Sequence, residues 1–470
     1  MISKKVIENF FSRINSFLNT NIFKIVVIYL FVYVVLTNCN FSMVYHDELH
    51  AYIIAKQYSF VDIIRLMRAE GHTFIWYLLL KFIPNVDWSF PWAIKRLSFA
   101  FSLISVILLL YKSPFSIIEK ILIISTFPML SLYPVLARPY SLGIMLIFIL
   151  TILYKKRLEH PILFASLIFI TANTSLMAAI GALNFSIIFI YDLIKTKNKN
   201  SFYPILILFV CALTLYIQWH NPISPQYWAL DFSLSNFLFK NYSHNEMLFG
   251  YIAKLIFPLF IFVTSLFFMS NKRNLFLFWS NILILLWIFY FIYRGTEYHY
   301  YFLYIYLIVS YWIQLEEQPK PPYHVLFVTF FIIISTLFNT YNRTGGHWFH
   351  PFQEEILTVK LINRITPQNS TVYCSLNSFD FFYIFKNVIH FSLKDYEGKD
   401  LFRFYNNLNM HNYNKQHCDF DKIIKNASPN SYILIDKFVW DRLTKTNMED
   451  FFAPYKSYSL NRDLKLYKIR

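Results

Sequence analysis

The sequence is poor in glycine, cysteine and charge. It has 8 glycines and 4 cysteines in 470 residues, and only 15% of its residues are charged. Four cysteines are too few for a disulfide framework, although Cys374 and Cys418 would be able to pair if the C-terminal part is extracytoplasmic. A low charged fraction, together with 56% hydrophobic residues and a mean hydropathy of +0.41, excludes an ordinary soluble domain.

Long apolar runs take the place of that missing charge. Runs of about 18 residues or more predict transmembrane helices, and open sheet edges cannot face lipid. The predicted spans, about 11 in number, lie near 22–41, 94–111, 117–134, 139–154, 161–172, 175–194, 203–219, 248–269, 275–293, 299–314 and 324–341. The predicted fold class is a polytopic α-helical membrane protein.

The chain changes character after residue 341. Apolar runs shorten, and Asn, Asp and Lys become frequent. The segments 370–375 and 431–436 are typical of buried strands, and the final residues are typical of a hairpin. We therefore predict a transmembrane module at 1–341, including a first outer loop at 42–93, and a C-terminal extracytoplasmic α/β domain at 342–470.

The net charge of +16 comes largely from basic residues in the loops between the apolar runs. Lys and Arg concentrate at 155–157, 195–200 and 271–274, which the positive-inside rule places in the cytoplasm. The N-terminus is then also cytoplasmic, and the charge does not indicate a nucleic-acid partner. The apolar run from Phe74 to Ile83 is too short to span, so it predicts an interfacial helix within the first outer loop.

A dense group of ionisable residues follows the first span, on the predicted outer side. It contains His46, Asp47, Glu48 and His50. If a helix begins near Val44, its dipole would keep the Asp47 carboxylate ionised and able to accept a proton. The alternative is a solvated helix start whose acids only cap the helix.

More ionisable residues lie in the same predicted outer layer, namely Glu70, His72, Lys95, Arg96, Arg138 and His299. Cations there would be suited to hold a lipid phosphate, and His72 would be suited to bind a substrate hydroxyl. Each also has a plain structural explanation. Lysine and arginine snorkel at interfaces, polar turns contain arginine, and tyrosines near His299 are typical of an aromatic belt.

Four segments, in order, resemble the GT-C superfamily of glycosyltransferases that use polyprenyl-phosphate sugars. They are "HDELHAYIIAK", "EGHTFIWYLLLK", "KRLSFAFSLISVILLLY" and "LARPYSLGIMLIFIL". The nearest groups are the bacterial relatives of protein O-mannosyltransferases and of the lipid A aminoarabinose transferase. Asp47–Glu48 matches the family's catalytic first-loop acids. The second segment resembles Gly-His-Pro-Pro, with Thr73 and Phe74 replacing the prolines, and Arg138 and Tyr140 lie in a matching Arg-Pro-Tyr segment.

The resemblance implies a polyprenyl-phosphate-sugar donor and a lipid, glycan or protein acceptor at a bacterial cytoplasmic membrane. Asp47 would be the base of an inverting transfer, assisted by Glu48. The site residues His72, Lys95, Arg96, Arg138, Glu70, Tyr140 and His299 would bind substrate or the donor phosphate. No cofactor is certain. A divalent metal would fit the His/Asp/Glu cluster, but a lysine can replace its charge.

Other functions remain open at this stage. An O-antigen polymerase or ligase also uses polyprenyl carriers, but it would need a large, arginine-containing late loop, and residues 220–247 are short and poor in arginine. A lipid-linked sugar flippase would need polar residues at mid-membrane. A membrane assembly protein would leave the outer ionisable layer unexplained.

Overall fold

The fold is a set of long apolar helices and a small mixed sheet. The computed structural model describes residues 20–41, 46–70, 72–83, 90–196, 201–220, 262–291, 297–319, 321, 323–341, 360–374, 392–394, 425, 427, 430–436, 456–459 and 464–469. The chain divides into two compact units. The first contains Met1–Asn38, Ser59–Leu79 and Lys95–Gly346, and the second contains Cys39–Tyr58, Leu80–Ile94 and His347–Arg470.

The described residues include a series of α-helices. They are α1 (Asn21–Phe41), α2 (His46–Gln57), α3 (Phe60–Leu66), α4 (Phe74–Phe82), α5 (Phe90–Lys112), α6 (Ile117–Ser125), α7 (Tyr140–Leu153), α8 (Pro161–Ala172), α9 (Leu176–Thr196), α10 (Phe202–Trp219), α11 (Lys272–Phe291), α12 (Glu297–Tyr300), α13 (Phe302–Glu317) and α14 (His324–Tyr341).

The long helices identify a helical membrane protein. Within the described residues, five are long and apolar enough to cross a membrane, at Asn21–Cys39, Ile94–Lys112, Leu176–Thr196, Phe202–Trp219 and Lys272–Phe289. Several of their large apolar side chains are exposed, such as Ile22, Phe209 and Leu283. A water-facing surface of this kind would be unusual, whereas lipid would cover it favourably.

The region predicted as a single span at 117–134 is broken in the structure. Helix α6 ends at Ser125, because Thr126 has extended backbone angles. A π-helical turn follows at Pro128–Leu132, with the proline in its first turn. Most of the predicted span at 248–269 lies outside the described residues, which include only the helical segment 262–268 of it.

Helix α4 is short, as the sequence predicted. Its 9 residues extend about 14 Å, less than half of a hydrocarbon core of about 30 Å. Ile75 and Leu79 pack on the buried apolar residues of α7, Leu142, Met145 and Leu146. A helix of this length is too short to cross the bilayer.

Two glycines allow α7, α9 and α13 to approach closely. A Cβ on Gly143 would lie 2.8 Å from the Ala178 Cβ, and one on Gly181 would lie 2.9 Å from the Tyr306 ring. The Gly181 amide donates to the Tyr306 hydroxyl over 3.0 Å. Any side chain at Gly143 would therefore push α7 away from α9.

A buried ion network joins the residues beyond α7, the end of α9 and the start of α11. Arg157 donates to Asp192 Oδ2 through Nε (2.9 Å) and Nη2 (2.5 Å), and Arg273 Nη2 lies 2.9 Å from Asp192 Oδ1. These residues belong to, or adjoin, the three basic segments that the sequence assigned to one side of the membrane. Their contact brings these segments together at one end of the helices.

The second unit contains a five-stranded mixed sheet. Its strands are β1 (Thr371–Tyr373), β2 (Ser392–Lys394), β3 (Ser431–Asp436), β4 (Lys456–Ser459) and β5 (Leu464–Lys468). Their order is β2-β1-β3-β5-β4. β1 pairs in parallel with β2 and β3, and β5 is antiparallel to β3 and β4.

The sheet contains the strands expected at 370–375 and 431–436 and the expected final hairpin. Buried apolar side chains such as Val372, Ile433 and Leu466 form its core. Of the predicted first outer loop at 42–93, residues 59–79 belong to the first unit and the rest to the second. Cys418 lies outside the described residues, so its pairing with Cys374 stays a prediction.

The ion network gives a stability prediction. Asp192→Ala leaves the largely buried Arg157 guanidinium without its carboxylate partner, and breaking a buried pair in this way costs about 3–5 kcal/mol. Thermal unfolding in detergent should show a large fall in midpoint. The matched control is Asp62→Ala, which removes an exposed pair with Arg65 and should cost less than about 1 kcal/mol. Equal losses in both variants would contradict the prediction.

Candidate functional site

The candidate site is built on the irregular corner between α6 and α7. The π-helical turn leads into Tyr133–Arg138, and Pro139, at the N-cap position, starts α7 at Tyr140. Proline suits such a helix start because its missing N–H would have no helical partner there. Lys95 Nζ donates to the Val135 carbonyl over 3.1 Å, and the Tyr133 hydroxyl donates to the Tyr298 carbonyl over 2.8 Å. The corner is thereby fixed to α5 and α12.

Four side chains that the sequence singled out separately are in contact at this corner. Arg138 Nη2 donates to His72 Nε2 over 2.6 Å. The Tyr140 hydroxyl lies 2.9 Å from His299 Nε2 and 3.4 Å from His72 Nε2. We call His72, Arg138, Tyr140 and His299 the His–Arg cluster. All four are buried, with Arg138 the most exposed at 9%.

The contact with Arg138 determines the protonation of His72. A guanidinium has only donors, so His72 Nε2 must accept and the proton of the neutral ring must lie on Nδ1. Burial lowers the pKa of His72 well below its usual value, and the neighbouring charges of Arg138 and then His299 lower it further. The imidazole is therefore neutral, and Arg138 supplies the fixed positive charge of the contact.

Aromatic rings surround the Tyr140 ring. Tyr298 and Tyr133 lie 5.3 and 6.0 Å from it between centroids, and Phe302 lies at 6.0 Å. These rings hold the phenol in place and lower the local dielectric, which strengthens the electrostatic effect of Arg138. The tyrosines near His299 were predicted either to line a sugar site or to form an aromatic belt, and Tyr133 was not among the predicted site residues.

The start of α4, which carries His72, is held by α10 and by the turn before α9. The Phe74 amide donates to Gln218 Oε1 over 3.0 Å, and Gln218 Nε2 donates to Asn173 Oδ1 over 2.8 Å. The Ile75 amide donates to the Asn173 carbonyl over 3.3 Å. Gln218 and Asn173 are almost completely buried. Neither residue was among the predicted site residues. An amide side chain inside an apolar segment is the sequence feature that would have pointed to each of them.

The predicted catalytic acids lie in the second unit. Asp47 and Glu48 are in the first turn of α2, where the helix dipole favours a carboxylate. Asp47 is exposed and Glu48 is completely buried. Lys81 caps the other end of this helix, where its Nζ donates to the Ala55 and Tyr58 carbonyls over 3.2 and 2.7 Å.

The other predicted site residues have varied environments. Lys95 is buried and holds the corner through Val135, whereas Arg96 is exposed. Glu70 Oε2 accepts from the Tyr77 hydroxyl over 2.8 Å. The loop at 221–247 and the side chain of His46 lie outside the described residues. Among those described, no three His, Cys, Asp or Glu side chains gather as metal ligands, and a divalent ion stays a prediction.

The neutral state of His72 gives a pH prediction. An unfolded histidine has a pKa of about 6.5. Below that pH the unfolded state takes up a proton that the folded state does not. Stability should fall as pH falls, by up to about 1.4 kcal/mol per pH unit. Thermal unfolding between pH 8 and pH 5 should therefore show a shallower loss for His72→Gln than for the wild type. The exposed His160→Gln is the control, and parallel curves for wild type and His72→Gln would rule out a neutral ring.

The chain was compared with protein-family models and with curated proteins. No protein-family model matches the chain, and no curated protein is significantly similar to it.

Proposed function

We propose that the protein is an integral-membrane glycosyltransferase of the GT-C type. It would move a sugar from a polyprenyl-phosphate donor to a lipid, glycan or protein acceptor of the cell envelope. The observation that carries the proposal is the His–Arg cluster, a buried guanidinium held at a helix end of a membrane protein. A lipid phosphate is an anionic group that reaches such a position from the bilayer.

The charge of the cluster fits the leaving group of this reaction. Arg138 presents a planar set of donors that matches phosphate oxygens, and His72 is neutral. When the bond between the anomeric carbon and the phosphate oxygen breaks, the electron pair leaves with the phosphate. A nearby guanidinium stabilises that developing charge. Lys95, at the same corner, adds a second cation.

Asp47 is the proposed base. The acceptor hydroxyl attacks the anomeric carbon as its proton passes to the Asp47 carboxylate, and Glu48 orients the acceptor. A single displacement of this kind inverts the anomeric configuration. The support for Asp47 is its place in the first turn of α2, directly after the first span, together with the sequence resemblance.

The proposal includes a topology. The N-terminus and the Arg157–Asp192–Arg273 network would be cytoplasmic, about 11 helices would cross the membrane, and residues 342–470 would form an extracytoplasmic α/β domain. The support is that the His–Arg cluster and the ion network occupy opposite ends of α7, whose 14 residues extend about 21 Å.

A lipid-linked sugar flippase is the second candidate. The observation that favours it is the pair Asn184–Asn281, which is buried between α9 and α11 with 2.7 Å between Nδ2 and Oδ1. This polar pair is neutral, and its mutual hydrogen bond is also what helix packing in a membrane uses. We therefore retain glycosyl transfer as the first proposal. An O-antigen polymerase or ligase would require a pyrophosphate-linked donor.

Asp47→Asn tests the base. Removal of a general base lowers turnover by about 10²–10⁴-fold, so transfer of labelled sugar from polyprenyl phosphate in membranes should fall by at least that lower limit. Asp62→Asn, an exposed carboxylate on α3, is the matched control and should keep wild-type transfer. Near-normal turnover in a well-folded Asp47→Asn protein would remove Asp47 from the mechanism.

Arg138→Gln tests the phosphate contact. A charge-assisted contact contributes about 1.5–3 kcal/mol, so the affinity for polyprenyl phosphate should fall by about 10–150-fold. Native mass spectrometry of the full chain measures this directly. Arg65→Gln removes an exposed arginine and should leave the affinity unchanged. If the wild type, Arg138→Gln and Arg65→Gln all bind polyprenyl phosphate with equal affinity, the phosphate does not contact Arg138.

A further inference from the structure

The start of α4 carries polar atoms for which the described residues provide no hydrogen-bond partner. They are His72 Nδ1, Thr73 Oγ1 and Trp76 Nε1. Thr73 and Trp76 are completely buried, and His72 is 4% exposed. Buried polar groups without partners are rare in native proteins and are costly. Here three such atoms lie within residues 72–76.

Thr73 would ordinarily use its hydroxyl to cap α4. A threonine directly before the first helical residue accepts from an amide of the first turn. Here Gln218 and the Asn173 carbonyl take the amides of Phe74 and Ile75 instead. The Thr73 hydroxyl makes no hydrogen bond to the described residues.

The three groups have a defined chemistry. Trp76 Nε1–H can only donate, and His72 Nδ1 carries a proton because Nε2 accepts from Arg138. The Thr73 hydroxyl can donate or accept. Trp76 follows Thr73 by three residues, so the two share a face of the helix. The set suits an uncharged ligand group that is rich in oxygen acceptors.

The His72 ring connects this segment to Arg138. The guanidinium binds the Nε2 edge of the imidazole, and the free donor is at the other nitrogen. If the anionic group of a molecule contacts Arg138, the group next to it in the same molecule would accept a hydrogen bond from His72 Nδ1. In a sugar phosphate, that neighbouring part is the sugar.

We propose that His72, Thr73 and Trp76 form a sugar-binding subsite that recognises a neutral oxygen, either a hydroxyl or an acetamido carbonyl. The phosphate of the same lipid lies against Arg138. This assignment rests on the proposed function, since it takes the polyprenyl-phosphate sugar as the ligand. It makes Thr73 and Trp76 specificity-determining residues.

Thr73→Val and Trp76→Phe test the subsite. The first keeps the shape of the side chain and removes the hydroxyl, and the second keeps an aromatic ring and removes the indole N–H. The ligands are bare polyprenyl phosphate and its hexose and N-acetylhexosamine esters, with affinities measured by native mass spectrometry on the full chain. Loss of one hydrogen bond should weaken binding of the sugar lipids by about tenfold, and the affinity for bare polyprenyl phosphate should stay within about twofold.

A control separates this role from a structural one. Thr151→Val removes a buried hydroxyl that donates to the Ile147 carbonyl over 2.8 Å, and it should leave all three affinities unchanged. Thr73→Val should not lower the thermal midpoint of the unliganded protein, because its hydroxyl has no partner there to lose. An effect confined to the N-acetylhexosamine lipid supports the carbonyl, and an effect on both sugar lipids supports a hydroxyl.

Other outcomes overturn the inference. If Thr73→Val weakens bare polyprenyl phosphate as much as the sugar lipids, these donors contact phosphate. If both variants bind every lipid as the wild type does, there is no such subsite. A wild type that binds none of the lipids overturns the proposed function and the subsite together. Thr73-dependent binding of sugar lipids without any transfer supports the subsite and overturns glycosyl transfer.

Discussion

The hydrogen bond from Arg138 to His72 is the interaction on which the candidate site depends. It fixes the tautomer of the imidazole, adds to the effect of burial in keeping the ring neutral, and joins Arg138 through His72 to Tyr140 and His299. Burial makes the bond stronger than it would be in water, and it also makes any loss of geometry expensive. The surrounding structure serves this one contact. Lys95 and Tyr133 hold the corner on which Arg138 lies, and Gln218 and Asn173 hold the helix start next to His72.

Two charged clusters of the first unit fix the position of α7. One contains Arg138 and lies before α7, and the other contains Arg157, which lies just beyond the same helix. Apolar packing alone permits a helix in lipid to slide or rotate at little cost. A helix anchored at both ends by charged hydrogen bonds has one position, because each displacement would leave a buried charge without its partner.

The sequence predicted much of the site's composition but not its contacts. His72, Arg138 and His299 each stood out because ionisable side chains are scarce in this chain and these lie at a predicted boundary, and Tyr140 stood out as part of the Arg-Pro-Tyr segment. Their meeting could not be read from the pattern, since His72 and Arg138 are 66 residues apart and Tyr140 and His299 are 159 apart. Short α4 and the final hairpin followed from run length and alternation. The break in the helix after Ser125 could not be predicted in this way. The apolar run continues through the break, and hydropathy carries no information about a change of backbone angle.

Gly143 lies one helical turn beyond Tyr140, where α7 meets the Ala178 side chain of α9. The close approach of these two backbones lies one turn from the start of α7, where the Tyr140 phenol contacts His299. In an evolving sequence, the large residues on the lipid-facing side of the helices can exchange with one another freely, since lipid adapts to their shape. The absence of a side chain at Gly143 cannot be exchanged in this way. In related sequences, a glycine at this position should therefore identify the site as well as the charged residues do.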